Sequence, residues 1–200
     1  MVILFQKNGT QHTKRAFGQN EMTCIVGLVD KGRVYVGGDS AGVASDLIMA
    51  RVDPKVFTRD GFIFGFTESF RMGQLIQHNF KIPAPPAAGS CYKYMCTTFM
   101  DALIECFSDK KFTRYYNYRI SGGTFLVGFR GELFKVHSDF QVEIHNEPYN
   151  ACGCGQKFAL GALHTLNKYK MDPEDKLMAA LDAASTFSTG VCRPYIISFV

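Results

Sequence analysis

Three residue types at fixed spacing in this sequence are able to support nucleophilic chemistry. Thr23 follows Met22 and opens the run TCIVGLVDKGRVYVGGDSAG, with Asp39 standing 16 residues beyond it and Lys55 32 residues beyond it. A threonine hydroxyl is a weak nucleophile at neutral pH and needs a base. If the bond between Met22 and Thr23 is cut, the α-amine of Thr23 becomes that base. Its reference pKa of ~7.7–8.0 suits it to accept a proton near neutrality. A lysine kept protonated by an aspartate would place positive charge beside amine and hydroxyl, disfavouring protonation of the first and stabilising an alkoxide at the second. Each residue alone has an ordinary use. Thr23 fits a strand, Asp39 fits a turn, and Lys55 fits a solvated strand end.

The rest of the chain bounds what can position such a site. Two hundred residues fit one domain with a substantial core. Hydrophobic residues at 46% and charged residues at 20% indicate a globular chain, which argues against disorder. A net charge of +4, with the basic residues scattered, is too little to suggest nucleic acid as a partner. No apolar run reaches the ~18–20 residues that span a bilayer, so no membrane association is expected. The seven cysteines (24, 91, 96, 106, 152, 154, 192) are odd in number and many sit in apolar contexts, which suggests reduced thiols and a cytoplasmic location. Cys152-Gly153-Cys154 lacks a partnering cysteine or histidine pair at zinc spacing. No metal and no cofactor is expected.

Residues 1–22 lack the charge-then-apolar order of a signal peptide. They read as a leader removed before Thr23, or as an upstream extension of a chain that starts at Met22. Residues 23–200 form a single domain on either reading.

From Thr23 the pattern is strand-like. Cys24 to Val29 and Arg33 to Gly38 flank the turn residues Asp30-Lys31-Gly32. Alternation points Cys24 away from the face that carries Thr23. Ala41 to Ala50 reads as a loop or short irregular segment. Lys55 to Phe57 and Phe62 to Phe66 form a second hairpin around Arg59-Asp60-Gly61. Ser69 to Phe80 predicts a helix ended by Pro83-Ala84-Pro85-Pro86, and Ser90 predicts the N-cap of a helix through Phe107. A basic, tyrosine-rich loop over Lys110 to Arg119 precedes strands at Thr124 to Phe129, Glu132 to His137 and Gln141 to Ile144. Gly153-Cys154-Gly155 leads into a helix through Lys168, and Asp172-Pro173 starts another to about Phe187. Tyr195 to Phe199 is the last strand. Strands and helices come in blocks, which favours antiparallel sheets with helices outside them. The expected architecture is α+β, a four-layer αββα sandwich of two antiparallel sheets.

Thr23 to Gly42, Asp53-Pro54-Lys55, Gly65-Phe66-Thr67 and Gly153-Cys154-Gly155 together resemble a proteasome β-subunit. They are closer still to the bacterial proteasome-like peptidase HslV and its bacterial and phage relatives. The resemblance runs from Thr23 to near the C-terminus. It implies the N-terminal nucleophile hydrolase fold, the same αββα sandwich, and a threonine endopeptidase acting on unfolded polypeptides. It places Thr23, Asp39 and Lys55 in the catalytic roles, with oxyanion and substrate contacts at Glu68 and Val43 and supporting roles at Cys154, Thr186 and Thr189. It also implies rings of identical subunits stacked face to face and an ATP-dependent unfoldase as partner.

Several positions depart from that pattern. The family usually has glycine where Glu68 stands, and serine where Cys154 stands. An aspartate and a serine complete the family's network, where this chain offers Thr186 and Thr189 with no acid. A thiol donates a weaker hydrogen bond than a hydroxyl. Two further readings therefore stay open: a non-catalytic shell subunit of the same fold, and an N-terminal nucleophile amidase acting on a small amide.

Overall fold

The computed structural model describes residues 22–44, 47–116 and 119–200. The expectation for the segment before Met22 lies outside the described residues.

Two antiparallel sheets form the middle of the molecule. In the first, β1 (Cys24–Asp30) and β2 (Arg33–Asp39) are flanked by β12 (Tyr149–Gly153) and β13 (Tyr195–Phe199), in the order β12-β1-β2-β13. In the second, the order is β11-β10-β9-β6-β5, built from β5 (Val56–Arg59), β6 (Phe62–Phe66), β9 (Phe125–Phe129), β10 (Glu132–Val136) and β11 (Val142–Glu143). Helices α1 (Phe70–His78), α2 (Cys91–Tyr94) and α3 (Met100–Asp109) cover the second sheet. Helices α4 (Gln156–Leu166) and α5 (Pro173–Phe187) cover the first.

Four layers have three internal contacts, and the core divides accordingly. Period-two alternation does the sorting. On β1, Cys24, Val26 and Leu28 pack with α4 and α5 residues such as Ala159, Leu177 and Leu181. Ile25 faces the other way, into a cluster with Val36, Val56, Ile63 and Leu126 between the sheets. On β6, Phe62, Phe64 and Phe66 join Leu75, Phe99 and Leu103 under the helices. The sheets approach closely where a side chain is missing. A Cβ on Gly65 would meet Ile25 Cγ2 at 2.5 Å and Val36 Cγ1 at 2.8 Å. The four-layer αββα expectation holds.

Helix termini follow local chemistry. Ser69 Oγ accepts from Met72 N and Ser90 Oγ accepts from Lys93 N, so both serines cap as the sequence predicts. The C-terminal carbonyls of α1 are held from a distance. Arg59 donates from Nη1 to Ile76 O and Gln77 O, and from Nη2 to Phe80 O. Between α2 and α3 the helical run widens into a π-type turn over Met95–Phe99, where Met95 and Phe99 are both buried.

Three segments differ from expectation. Ala41 to Ala50, expected as a loop, contains β3 (Ala41–Ala44) and β4 (Leu47–Ala50), an antiparallel pair whose second strand is exposed throughout. Lys110 to Arg119, also expected as a loop, carries β7 (Arg114–Tyr116), which pairs with β8 (Arg119–Ser121). These short pairs rest on backbone hydrogen bonding outside the main sheets, with little apolar alternation to announce them. The third is β12, whose tract YNACG mixes small and polar residues. It becomes a strand because it pairs with β1, Cys24 opposite Gly153 through Leu28 opposite Tyr149. No helix among the described residues is long and apolar enough to cross a membrane.

Candidate active site

The two sheets bring Thr23, Asp39 and Lys55 to one end of the sandwich. Asp39 ends β2 in the first sheet, and Lys55 stands just before β5 in the second, where its carbonyl accepts from Phe66 N. Thr23 precedes β1 and lies between them. Lys55 Nζ donates to Thr23 Oγ1 at 2.9 Å and to both carboxylate oxygens of Asp39 at 3.1 Å. Asp39 is held in turn by two backbone donors, Cys24 N to Oδ1 at 2.9 Å and Ala41 N to Oδ2 at 2.8 Å.

This pair is unusual in its burial. Asp39 is 2% exposed and Lys55 3% exposed, and they are the only buried charged side chains among the described residues. Burial lifts the Asp39 carboxyl above its ordinary value, with Lys55 and the two N–H donors opposing. Burial likewise lowers the Lys55 ammonium, with Asp39 opposing. Such an ion pair stabilises a fold poorly, since desolvation offsets the attraction. Its geometry is better suited to chemistry, because a cation without a shell of water points at a hydroxyl.

The peptide between Met22 and Thr23 is intact, and Thr23 Oγ1 donates to Met22 O at 2.6 Å. Met22 packs against Gly190, where a side chain would meet Met22 Cβ at 2.6 Å. On the far side of Thr23 lies the turn from β12 into α4. Gly155 N and Cys154 Sγ both donate to Thr23 O, each at 3.4 Å. Cys154 Sγ also lies 3.0 Å from Ser188 Oγ.

Solved structures of this shape place the fold. BPH from Thiobacillus denitrificans, in complex with epoxomicin, superposes with a TM-score of 0.75 at 17% identity, over 89% of this chain and 98% of that one. HslV from Trypanosoma brucei gives 0.64 at 16% identity, over 88% of this chain and 98% of that one. Anbu, described as an ancestral beta-subunit, from Yersinia bercovieri, gives 0.62 at 13%, over 88% and 81%.

The chain has the proteasome-like N-terminal nucleophile hydrolase fold.

No family model matches the sequence, and no curated protein matches it. The proteasome-like fold is therefore established by shape, and what the site does rests on its own residues.

The remaining expected positions fall as follows. Glu68 has φ +65°, a left-handed backbone that favours glycine. The Glu68 side chain folds back so that Oε1 accepts from Thr124 N at 3.0 Å, beside Thr67, whose hydroxyl donates to Thr124 O. Val43 lies on β3, opposite Ile48, and its side chain lies outside the described residues. Thr186 donates to Asp182 O within its own helix, and Thr189 is exposed. The hydroxyl set against Cys154 is that of Ser188, which sequence reasoning missed. Ser188 is the C-cap of α5, and only the helix end decides which of several neighbouring hydroxyls turns toward the site.

Proposed function

We propose that the chain is a threonine peptidase whose nucleophile is the hydroxyl of Thr23, exposed as an N-terminal residue when the chain is cut after Met22. The observation that carries this reading is the buried Asp39–Lys55 pair directed at Thr23 Oγ1. Freed of Met22, Thr23 would present an amine next to its own hydroxyl. That amine takes the hydroxyl proton as Oγ1 bonds to a peptide carbonyl carbon. Lys55 stabilises the alkoxide character of Oγ1, and backbone N–H groups near Glu68 stabilise the carbonyl oxyanion. Collapse of the tetrahedral intermediate breaks the C–N bond, and the amine returns the proton to the leaving nitrogen. Water then hydrolyses the Thr23 ester by the same route.

Residues 23–200 would be the mature peptidase domain, located in the cytoplasm. Unfolded polypeptides are the substrate class that accords with the proteasome-like fold, with stacked rings of this chain and an ATP-dependent unfoldase as partners.

The test is the intact mass of purified protein before and after epoxomicin, the ligand in the BPH structure. A chain beginning at Thr23 that gains one inhibitor mass, mapped to Thr23, is the expected result. A chain that retains Met22 and takes no label would overturn the peptidase reading in favour of a shell subunit.

A further inference from the structure

A shelf of two side chains stands beside the catalytic lysine. The guanidinium carbon of Arg51 lies 3.7 Å above the centroid of the Phe70 ring, and Lys55 Nζ lies 5.8 Å from the same centroid. Lys55 Nζ is 2.9 Å from Thr23 Oγ1. The ring is therefore within a side chain's length of the point where a substrate carbonyl would meet the nucleophile.

Arg51 is held in this position from several directions. Its backbone N–H donates to Ser40 O at 2.8 Å, next to Asp39. Its Nε and Nη2 donate to the two carboxylate oxygens of Asp53 at 2.8 and 2.6 Å. Its stem fills the space a side chain on Gly42 would need, since a Cβ there would meet Arg51 Cδ at 2.5 Å. Among the described residues Nη1 carries no hydrogen bond, and the side chain is 38% exposed. Asp53 balances the charge of Arg51, so what the shelf offers an incoming side chain is a fixed N–H donor.

We propose that Arg51 determines specificity at the Thr23 site: it covers the Phe70 ring and presents Nη1, favouring a substrate residue before the cleaved bond whose side chain ends in an oxygen acceptor, such as glutamine. The inference rests on the peptidase reading of Thr23. An aromatic side chain at that position finds the Phe70 face occupied and leaves the Nη1 hydrogens desolvated without a partner. A side chain carrying a carbonyl oxygen pairs them. Sites built around a hydrogen bond discriminate against ligands that lack it more strongly than apolar pockets discriminate by size.

The experiment compares two fluorogenic tripeptide amides that differ only in the residue before the cleaved bond, glutamine against phenylalanine. It uses protein in which epoxomicin labelling of Thr23 is followed in parallel. Wild type is expected to show kcat/KM about tenfold higher for the glutamine peptide, and Arg51→Ala to reverse the order by uncovering Phe70. Arg51→Met, which keeps an apolar stem over the ring without a donor, should lose the glutamine preference as well. A glutamine-to-phenylalanine ratio unchanged in either variant, with Thr23 still labelled, overturns the role of Arg51 and leaves the peptidase reading standing. Absence of both labelling and hydrolysis in wild type overturns the two together.

Discussion

Gly153 sits at φ +93° directly against Thr23, and a Cβ at Gly153 would overlap the carbonyl oxygen of Thr23. Two strands meet there, since Gly153 is the partner of Cys24 in the ladder between β12 and β1. The position of Thr23 is thus set by a backbone contact that tolerates only hydrogen. Gly153→Ala is expected to destabilise the fold by about 2 kcal/mol or more, combining left-handed strain of roughly 1–2 kcal/mol with the displacement of Thr23. Denaturant unfolding of the variant measures this, and an unchanged midpoint would show that the turn relaxes without moving Thr23.

The Asp39–Lys55 pair predicts a coupling between mutations. Asp39→Asn alone leaves a buried ammonium without its counter-ion, at a cost of about 3–5 kcal/mol. Adding Lys55→Met removes that charge, so the double variant should be more stable than the single by about 2 kcal/mol or more. Some loss remains, because an amide cannot accept from both Cys24 N and Ala41 N as the carboxylate does. A double-mutant cycle by urea unfolding checks the sign. Additive losses would mean that the pair is not coupled through its burial.

The same burial gives stability a definite pH dependence. The folded chain holds the Asp39 proton to higher pH than the unfolded chain, so stability falls as pH rises from the ordinary value of 3.8 through the folded one. Lys55 releases its proton more readily when folded. Its contribution is complete above the ordinary value of 10.5 and is lost as pH falls through the lowered one. The proposed chemistry needs Lys55 charged. The alkaline limit of epoxomicin labelling should therefore fall below pH 10.5. Rates of adduct formation against pH test it, and labelling that persists at full rate above that value would show that a charged Lys55 is not required.

Cys154 links Thr23 to the end of α5. Its thiol reaches Thr23 O at 3.4 Å and meets Ser188 Oγ at 3.0 Å. Cys154→Ser should raise peptide hydrolysis modestly, by up to about tenfold, through a stronger donor at the same position. Ser188→Ala should lower it. Steady-state kinetics on both variants decide the matter, and a large loss in Cys154→Ser would show that the sulfur itself is used.

The sequence by itself determined the layers of this protein. Period-two alternation in β1 and β6 sorts Cys24 from Ile25 and Phe64 from Ile63, and Ser69 and Ser90 mark helix starts by capping chemistry that needs no distant partner. That Thr23, Asp39 and Lys55 belong together was legible because a hydroxyl, a cation and its counter-ion are distinctive types at recognisable spacing. Strands β3, β4, β7, β8 and β12 were not legible, because their pairing depends on which backbone lies alongside and their side chains carry little pattern. Tertiary structure alone decided that Ser188, not Thr186 or Thr189, faces Cys154, since the end of α5 sets which hydroxyl turns inward. It also decided that Arg51 roofs Phe70 beside Lys55. Residues that act through neighbours brought in by other layers leave no local signature, because the free energy that places them comes from packing between segments remote in the chain.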